Sequence, residues 1–509
     1  MQGLASARSP EHLPLITVVD IGSNTIRLVE YEVVGRSGLR LVRAFKEVPR
    51  LAHAATENGA LSREAIEQGA RSVRRLLAML PPERDRTTVA VATSAVRDAP
   101  NRAAFVDRVR SVAGIVPKVI SGPEEGRYAY LGVSDAWRLD RDLVIDLGGG
   151  SMQVVYTRGG RVARAFSMPI GTVRLTDRYF HHDPPRDREI DALRATVREH
   201  LDALPERPKN GRVFVVGGTA RALARTSMEL GESPLRTIHG QPLRGRELKG
   251  LSALLRTMPA KRRREVPGID RTRAEVIVAG LWTFREVADR FDAQELTVST
   301  RGIRDGLALE TAGIPVARTS AELVDRSATV AARSFRFSLE HGRDVAAKAD
   351  HLFDAVRRRL DWGEEERLAL RAAGLLHDIG AVVDPWHHAW HSAYILRHTA
   401  VGGLTRRAAG LAVIAVSGHE GEPLPEGWRR AWKSVLSRDG MARGERLGAI
   451  LFVAERFAGL GVEFDVSPRR ERVVVRGDGR RRRPIGPKRF DRLEKHIRRT
   501  LGLGLDLEG

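Results

Sequence analysis

Val18-Val19-Asp20-Ile21-Gly22-Ser23-Asn24-Thr25-Ile26-Arg27-Leu28-Val29 and Val144-Ile145-Asp146-Leu147-Gly148-Gly149-Gly150-Ser151-Met152-Gln153-Val154-Val155 repeat one pattern. Each reads as a buried strand, a carboxylate, a Gly-rich turn and an alternating strand. Glycine at the turn removes the Cβ that would hold a phosphate away from backbone N–H groups, and a strand-end Asp can hold a divalent cation. The two aspartates lie 126 residues apart, about one small domain. A single such turn is commonly a plain hairpin, in which Asp caps its own backbone. A matched pair points to a phosphoryl site between two similar lobes.

Outward from the hairpins the pattern divides the chain into three. Residues 15–130 alternate strand runs (Leu15–Val19, Val89–Ala92, Val116–Ile120) with helical ones, and residues 131–312 do the same, with strands at Leu143–Ile145 and Val213–Val216. Gly313-Ile314-Pro315 marks a linker. The remainder, 320–509, reads as helical: His341, Val345, Ala349 and Leu352 share one helix face.

At 509 residues and 42% hydrophobic, the chain can bury two or three cores. The stretch before Leu15 is not apolar enough for a signal or a span, so a cytoplasmic protein without a membrane partner is expected. Cysteine is absent, which excludes disulfides and thiolate chemistry. The net charge of +21 attracts polyanions, whether nucleic acid, membrane surface or polyphosphate, though a solvated Arg-rich surface accounts for much of it. Two runs stand out, Lys261–Arg264 and Arg480–Arg483, the second expected on a mobile loop. Neither is accompanied by a recognition helix or interleaved aromatics, so no specific nucleic-acid partner is expected.

Further segments carry a resemblance. Ala92-Thr93-Ser94-Ala95-Val96-Arg97-Asp98-Ala99-Pro100-Asn101, Ile120-Ser121-Gly122-Pro123-Glu124-Glu125-Gly126-Arg127 and Pro169-Ile170-Gly171-Thr172-Val173-Arg174-Leu175 occur in order. Val216-Gly217-Gly218-Thr219-Ala220, Arg273-Ala274-Glu275 and Gly302-Ile303-Arg304-Asp305-Gly306 follow. With the two hairpins, these resemble the exopolyphosphatase / guanosine pentaphosphate phosphatase family over residues 15–310. The resemblance implies an α/β fold of two actin-like (RNase H-like) lobes forming a cleft. The rest resembles an all-α HD-type domain centred on Leu375-Leu376-His377-Asp378-Ile379-Gly380.

By that resemblance Glu125 is the catalytic carboxylate that orients or deprotonates the attacking water, Arg97 bridges phosphates, and Asp20 and Asp146 hold Mg²⁺. Ser23, Asn24, Gly148, Gly149, Gly150 and Ser151 would donate to phosphate oxygens, and Gly217, Gly218 and Thr219 match a nucleoside-binding segment of related kinases. Glu125 alone would read as an ordinary helix-start acid. One position departs: where the family usually carries Glu, this chain has Gln153, an amide that can orient a water but holds Mg²⁺ less well. In the HD-type domain His341, His377, Asp378 and Glu455 match the metal ligands, with His388, His391 and His419 nearby. A metal-free structural domain, a second phosphohydrolase and a residual binding site all remain open there.

The expectation is an Mg²⁺-dependent exopolyphosphatase acting on inorganic polyphosphate. The alternatives are a guanosine pentaphosphate (pppGpp) 5′-phosphatase using the same site, or a non-catalytic polyphosphate or nucleotide sensor, the latter motivated by Gln153. Oligomeric state, a homodimer included, is left open.

Overall fold

The computed structural model describes residues 13–54, 59–83, 85–420, 426–458, 462–467, 472–477 and 486–508. Strands β1 (Leu15–Ile21), β2 (Ile26–Val34), β3 (Gly38–Glu47), β4 (Arg86–Ala92) and β5 (Lys118–Val119) form a sheet in the order β3-β2-β1-β4-β5. β1, β2 and β3 pair antiparallel, and β4 and β5 continue parallel to β1. The apolar run of β1 is buried on both faces. Val19 and Ile21 join one core with Leu28 and Phe105, and Ile16 and Val18 join another with Tyr31 and Leu307.

A second sheet repeats the plan. β6 (Leu143–Leu147), β7 (Met152–Arg158), β8 (Arg161–Met168), β9 (Val213–Val216), β10 (Pro242–Arg244) and β11 (Glu295–Val298) lie in the order β10-β11-β9-β6-β7-β8. Apart from the added edge strand β10, order and direction match the first sheet, the duplicated actin-like arrangement. The registers match too: Asp20 pairs with Arg27 across the first hairpin, and Asp146 with Gln153 across the second.

Two helices tie the lobes together. Gly122–Ser134 packs on the second sheet through Ala129 and Val133, and Ile303–Thr311 packs on the first through Leu307 and Ala308. Where they cross, their backbones touch. A Cβ at Gly306 would lie 1.9 Å from the Tyr128 carbonyl oxygen, and one at Gly132 would lie 2.1 Å from that of Gly302. Glycine at these positions therefore sets the separation of the helix N-termini that carry Glu125 and Arg304.

The C-terminal domain is helical as expected. Its core is built by the helices Ser320–Phe335, Glu340–Leu360, Glu364–Leu376, His388–His398, Arg406–Ser417 and Arg438–Phe457. It is not wholly α, which corrects the all-α expectation: β12 (Val462–Ser467), β13 (Arg472–Gly477) and β14 (Gly504–Glu508) form a three-stranded sheet. The β-branched run Val473-Val474-Val475 favours a strand, and Val473 and Val475 pack into the helical core beside Leu493, Ile497 and Leu505. Among the described residues no helix is long and apolar enough to cross a membrane.

The run Lys261–Arg264 is only partly a solvated face. Arg263 is buried and donates to the carbonyls of Leu255 and Ala274 at 3.1 and 3.0 Å. Arg480–Arg483 lies outside the described residues.

Candidate active site

The strand ends of β1 and β6 bring Asp20 and Asp146 into one cleft of about 110 Å³. Its wall also takes in Ser23, Asn24, Glu125, Gly148, Gly149, Ser151, Gly217 and Gly218. A larger space of about 630 Å³, between the second lobe and the helical domain, contains none of the predicted residues. Three predicted residues stand behind the cleft wall. A Cβ at Gly150 would lie 2.6 Å from Ser23 Oγ and 2.5 Å from Ser94 Oγ, two hydroxyls themselves bonded at 2.8 Å, so the two glycine-rich turns meet here. Thr219 is fully buried against Gly280. Arg97 is engaged by Glu125.

The Glu124-Glu125 pair divides its labour at the start of helix Gly122–Ser134. Ser121 and Glu124 form a reciprocal capping box: Ser121 N–H donates to Glu124 Oε2 at 2.8 Å, and Glu124 N–H to Ser121 Oγ at 3.3 Å. Lys118 binds Glu124 as well, holding its carboxyl down near 2. Glu125 turns inward instead. Its Oε2 accepts from Arg97 Nη1 at 2.7 Å and from Gln153 Nε2 at 3.2 Å. Burial pushes its pKa up to about 7, against the opposing pull of Arg97. Gln153 is fully buried, and its amide nitrogen also lies 2.8 Å from Ser151 Oγ and 3.1 Å from Ser167 Oγ. It is not part of the cleft wall and acts on Glu125 from behind.

Sequence reasoning assigned no role to four arginines on the wall: Arg27, Arg221, Arg273 and Arg304. Burial lowers Arg27 to about 9 and Arg221 to about 10, and the neighbouring guanidiniums add to both shifts. Arg273 is lowered for the same reasons. Arg304 Nη1 lies 3.5 Å from Asp20 Oδ2, and its helix start is held by Asp305, whose Oδ2 accepts from Gly302 N–H at 2.9 Å. Mutually repelling cations packed beside a cleft make a site that an anion stabilises. One signal was available: Arg27 stands opposite Asp20 in the register where Gln153 stands opposite Asp146.

The two aspartates suit a divalent cation. Burial raises Asp20 against the pull of Arg304, Arg27 and Arg221, and it raises Asp146 to about 6, with the charge of Asp20 adding to that shift. Oxygen donors of this kind fit Mg²⁺.

The helical domain gathers a second cluster. His341 Nε2 lies 3.7 Å from Asp378 Oδ2, while His377, His388 and His419 bring Nε2 to 3.4, 3.1 and 4.0 Å from Asp378 Oδ1. Glu455 Oε2 is 3.9 Å from His419 Nε2. His391 joins neither group of converging donor atoms found there.

Comparison with known proteins agrees with this geometry. The family model of the Ppx/GppA phosphatase family matches residues 31–313, and that of Ppx/GppA phosphatase domain III matches residues 324–422. A Ppx/GppA family member from Aquifex aeolicus is 28% identical, covering 58% of this chain and 97% of its own, with a TM-score of 0.50. An exopolyphosphatase-like protein is 28% identical over 58% of this chain and 97% of its own, with a TM-score of 0.52. An exopolyphosphatase from Cytophaga hutchinsonii shares the fold at 23% identity, over 59% of this chain and 99% of its own, with a TM-score of 0.52. With two glycine-rich turns facing each other across paired aspartates, and a family match spanning more than half its length, the chain belongs to the Ppx/GppA phosphatase family.

Proposed function

We propose that this protein is an exopolyphosphatase, hydrolysing the terminal phosphoanhydride bond of inorganic polyphosphate to release orthophosphate. The observation that carries this reading is the convergence of Arg27, Arg221, Arg273 and Arg304 on a cleft whose described wall includes no aromatic side chain. A polyphosphate chain offers charge and oxygen acceptors and no base to stack, and guanidiniums bind such groups in a fixed fork.

The chemistry needs a placed water, an in-line approach and charge neutralisation. Glu125 takes a proton from the water as its oxygen attacks the terminal phosphorus. The bridging P–O bond breaks, and its electron pair leaves with the shortened chain. A carboxylate with a pKa near 7 is a stronger base than an ordinary glutamate and still has its deprotonated form available at neutral pH. Arg97 holds the Glu125 carboxylate, while Ser23, Asn24, Ser151 and the backbone of Gly148 and Gly149 orient the phosphate oxygens. Asp20 and Asp146 would hold Mg²⁺, which supplies positive charge against the phosphate oxygens when bound.

The test is orthophosphate release from long-chain polyphosphate and from pppGpp, each with and without Mg²⁺. Faster Mg²⁺-dependent release from polyphosphate is expected, with a loss of about 10²- to 10⁴-fold in Glu125→Gln while polymer binding persists. Preference for pppGpp would move the reading to a guanosine pentaphosphate phosphatase. Tight binding without release from either would make the protein a sensor.

A further inference from the structure

The space of about 630 Å³ between the second lobe and the helical domain lies apart from the cleft and is lined differently. Its size falls within the range of small-molecule sites, which commonly form where domains meet. Six cations reach it, and three of them are neutralised. Arg244 faces Glu247 and Glu295 at 3.3 and 3.6 Å, Arg407 pairs with Glu365, and Arg212 lies 2.9 Å from Asp142. The other three, Arg246, Arg406 and Lys433, form no ion pair among the described residues.

Arg406 begins the helix Arg406–Ser417 and crosses to the second lobe, where Nη2 donates to Ser233 Oγ at 2.6 Å and Nη1 to the Thr237 carbonyl at 3.0 Å. Both partners are neutral, so the charge is held in place without being cancelled. Burial and the charge of Arg244 lower its pKa to about 10, against the pull of Glu247. A cation in this state gains from an anion placed beside it.

The wall also has an apolar part, the buried side chains of Trp137, Phe214, Met228 and Pro242. Beside it Trp137 Nε1 and Gln241 Oε1 are buried and find no hydrogen-bond partner among the described residues. The Gln241 amide nitrogen is already committed, to Ser227 Oγ and the Pro242 carbonyl, each at 3.3 Å. One donor and one acceptor are thus left over next to apolar surface. A nucleobase offers the matching combination, apolar faces with donors and acceptors along its edge. An inorganic phosphate chain would leave this part of the wall unused.

We propose that the junction of the second lobe and the helical domain binds a nucleotide carrying two or three phosphates, with the phosphates on Arg246, Arg406 and Lys433 and the base against Trp137 and Gln241. Arg406 and Lys433 belong to the helical domain, and Arg246, Trp137 and Gln241 to the second lobe, so the ligand ties the two together. The site is separate from the cleft and does not rest on the activity proposed there.

The experiment titrates ATP into the full-length protein at about 0.15 M salt without Mg²⁺, following the heat of binding and thermal melting. Saturable binding of one equivalent with a rise in Tm is expected. Arg246→Ala and Lys433→Ala, both at exposed positions, should each weaken that equivalent about tenfold and leave orthophosphate release from polyphosphate as in wild type. An Arg27→Gln, Arg304→Gln double variant removes twice as much charge, but from the cleft, and should bind ATP as wild type does. In that variant ATP should bind at least tenfold more tightly than inorganic tripolyphosphate. The proposal is overturned if folded wild type shows no saturable binding, or if binding is lost in the cleft variant and kept in Arg246→Ala and Lys433→Ala. Tripolyphosphate matching ATP in the cleft variant would overturn it too, since the apolar wall would then hold no base.

Discussion

The Gln153 amide nitrogen lies 3.2 Å from Glu125 Oε2, on the same oxygen that accepts from Arg97 at 2.7 Å. The residue that departs from the family pattern is thus a neighbour of Glu125 and not a wall of the cleft. Gln153→Glu would place a second carboxylate beside Glu125 in a buried site. Like charges raise the pKa of the pair, so the acid limb of kcat/KM against pH should move up by about one unit or more. High Mg²⁺ should restore part of the lost activity near neutral pH. An unmoved acid limb would show that the amide does not set the state of Glu125.

Arg97→Gln tests the other donor. Arg97 draws the Glu125 pKa down, so its loss should raise the acid limb while leaving the plateau at high pH less affected. Stability carries the same signature. Glu125 titrates near 7 when folded and near 4.5 when unfolded, so the folded chain binds the extra proton between these values. Its stabilising share is present below about pH 4.5 and is lost as pH rises through about 7. Asp146, raised to about 6, acts in the same direction. Metal-free wild type should therefore lose Tm between about pH 5 and pH 8. Arg97→Gln should lose more and Glu125→Gln less. A Tm in Glu125→Gln that falls as steeply as in wild type would remove Glu125 as the source.

The repeated hairpins made the two lobes legible, because a carboxylate followed by glycines at matched strand ends survives as local text. The strands Leu15–Ile21 and Val213–Val216 were readable for the same reason, as apolar runs buried on both faces. The C-terminal sheet was less so, since Val473-Val474-Val475 pairs with Gly504–Glu508 only through a separation that no local pattern reveals. The arginines of the cleft were hidden differently. In a chain with a net charge of +21 a single Arg carries little information, and only folding brings Arg27, Arg221, Arg273 and Arg304 to one wall. Arg97 was read as a phosphate clamp, and its Nη1 pairs with the buried Glu125 at 2.7 Å, a contact that only the fold reveals.

Gly218→Ala tests the arginine wall without removing a charge. A Cβ there would lie 2.1 Å from Arg273 Nη2, so the guanidinium must move while the surrounding backbone stays in place. Loss of one phosphate contact should raise KM for polyphosphate about tenfold, with kcat changed less and the melting temperature nearly kept. Arg273→Ala should give a similar KM. A large drop in Tm for Gly218→Ala, with KM unchanged, would mean that Gly218 serves packing and that Arg273 does not meet substrate.

Arg304 lines the cleft and lies 3.5 Å from Asp20, so on the proposed reading its removal should act on polyanion and metal in opposite senses. Arg304→Gln deletes one of four cations facing the polyanion. KM should rise, and the slope of log affinity against log salt should shrink by about one unit if Arg304 contacts one phosphate. At Asp20 the same change removes a positive charge that lowers its pKa and repels a second cation. Protonation of Asp20 should then compete with Mg²⁺ more strongly as pH falls. At pH 8, where proton competition is weaker, the variant should need less Mg²⁺ for half-maximal activity than wild type while binding polyphosphate more weakly. Titrating Mg²⁺ at fixed polyphosphate, and polyphosphate at saturating Mg²⁺, separates the two effects. Parallel weakening of both at pH 8 would show that Arg304 supports the cleft as a whole and does not bridge substrate and metal.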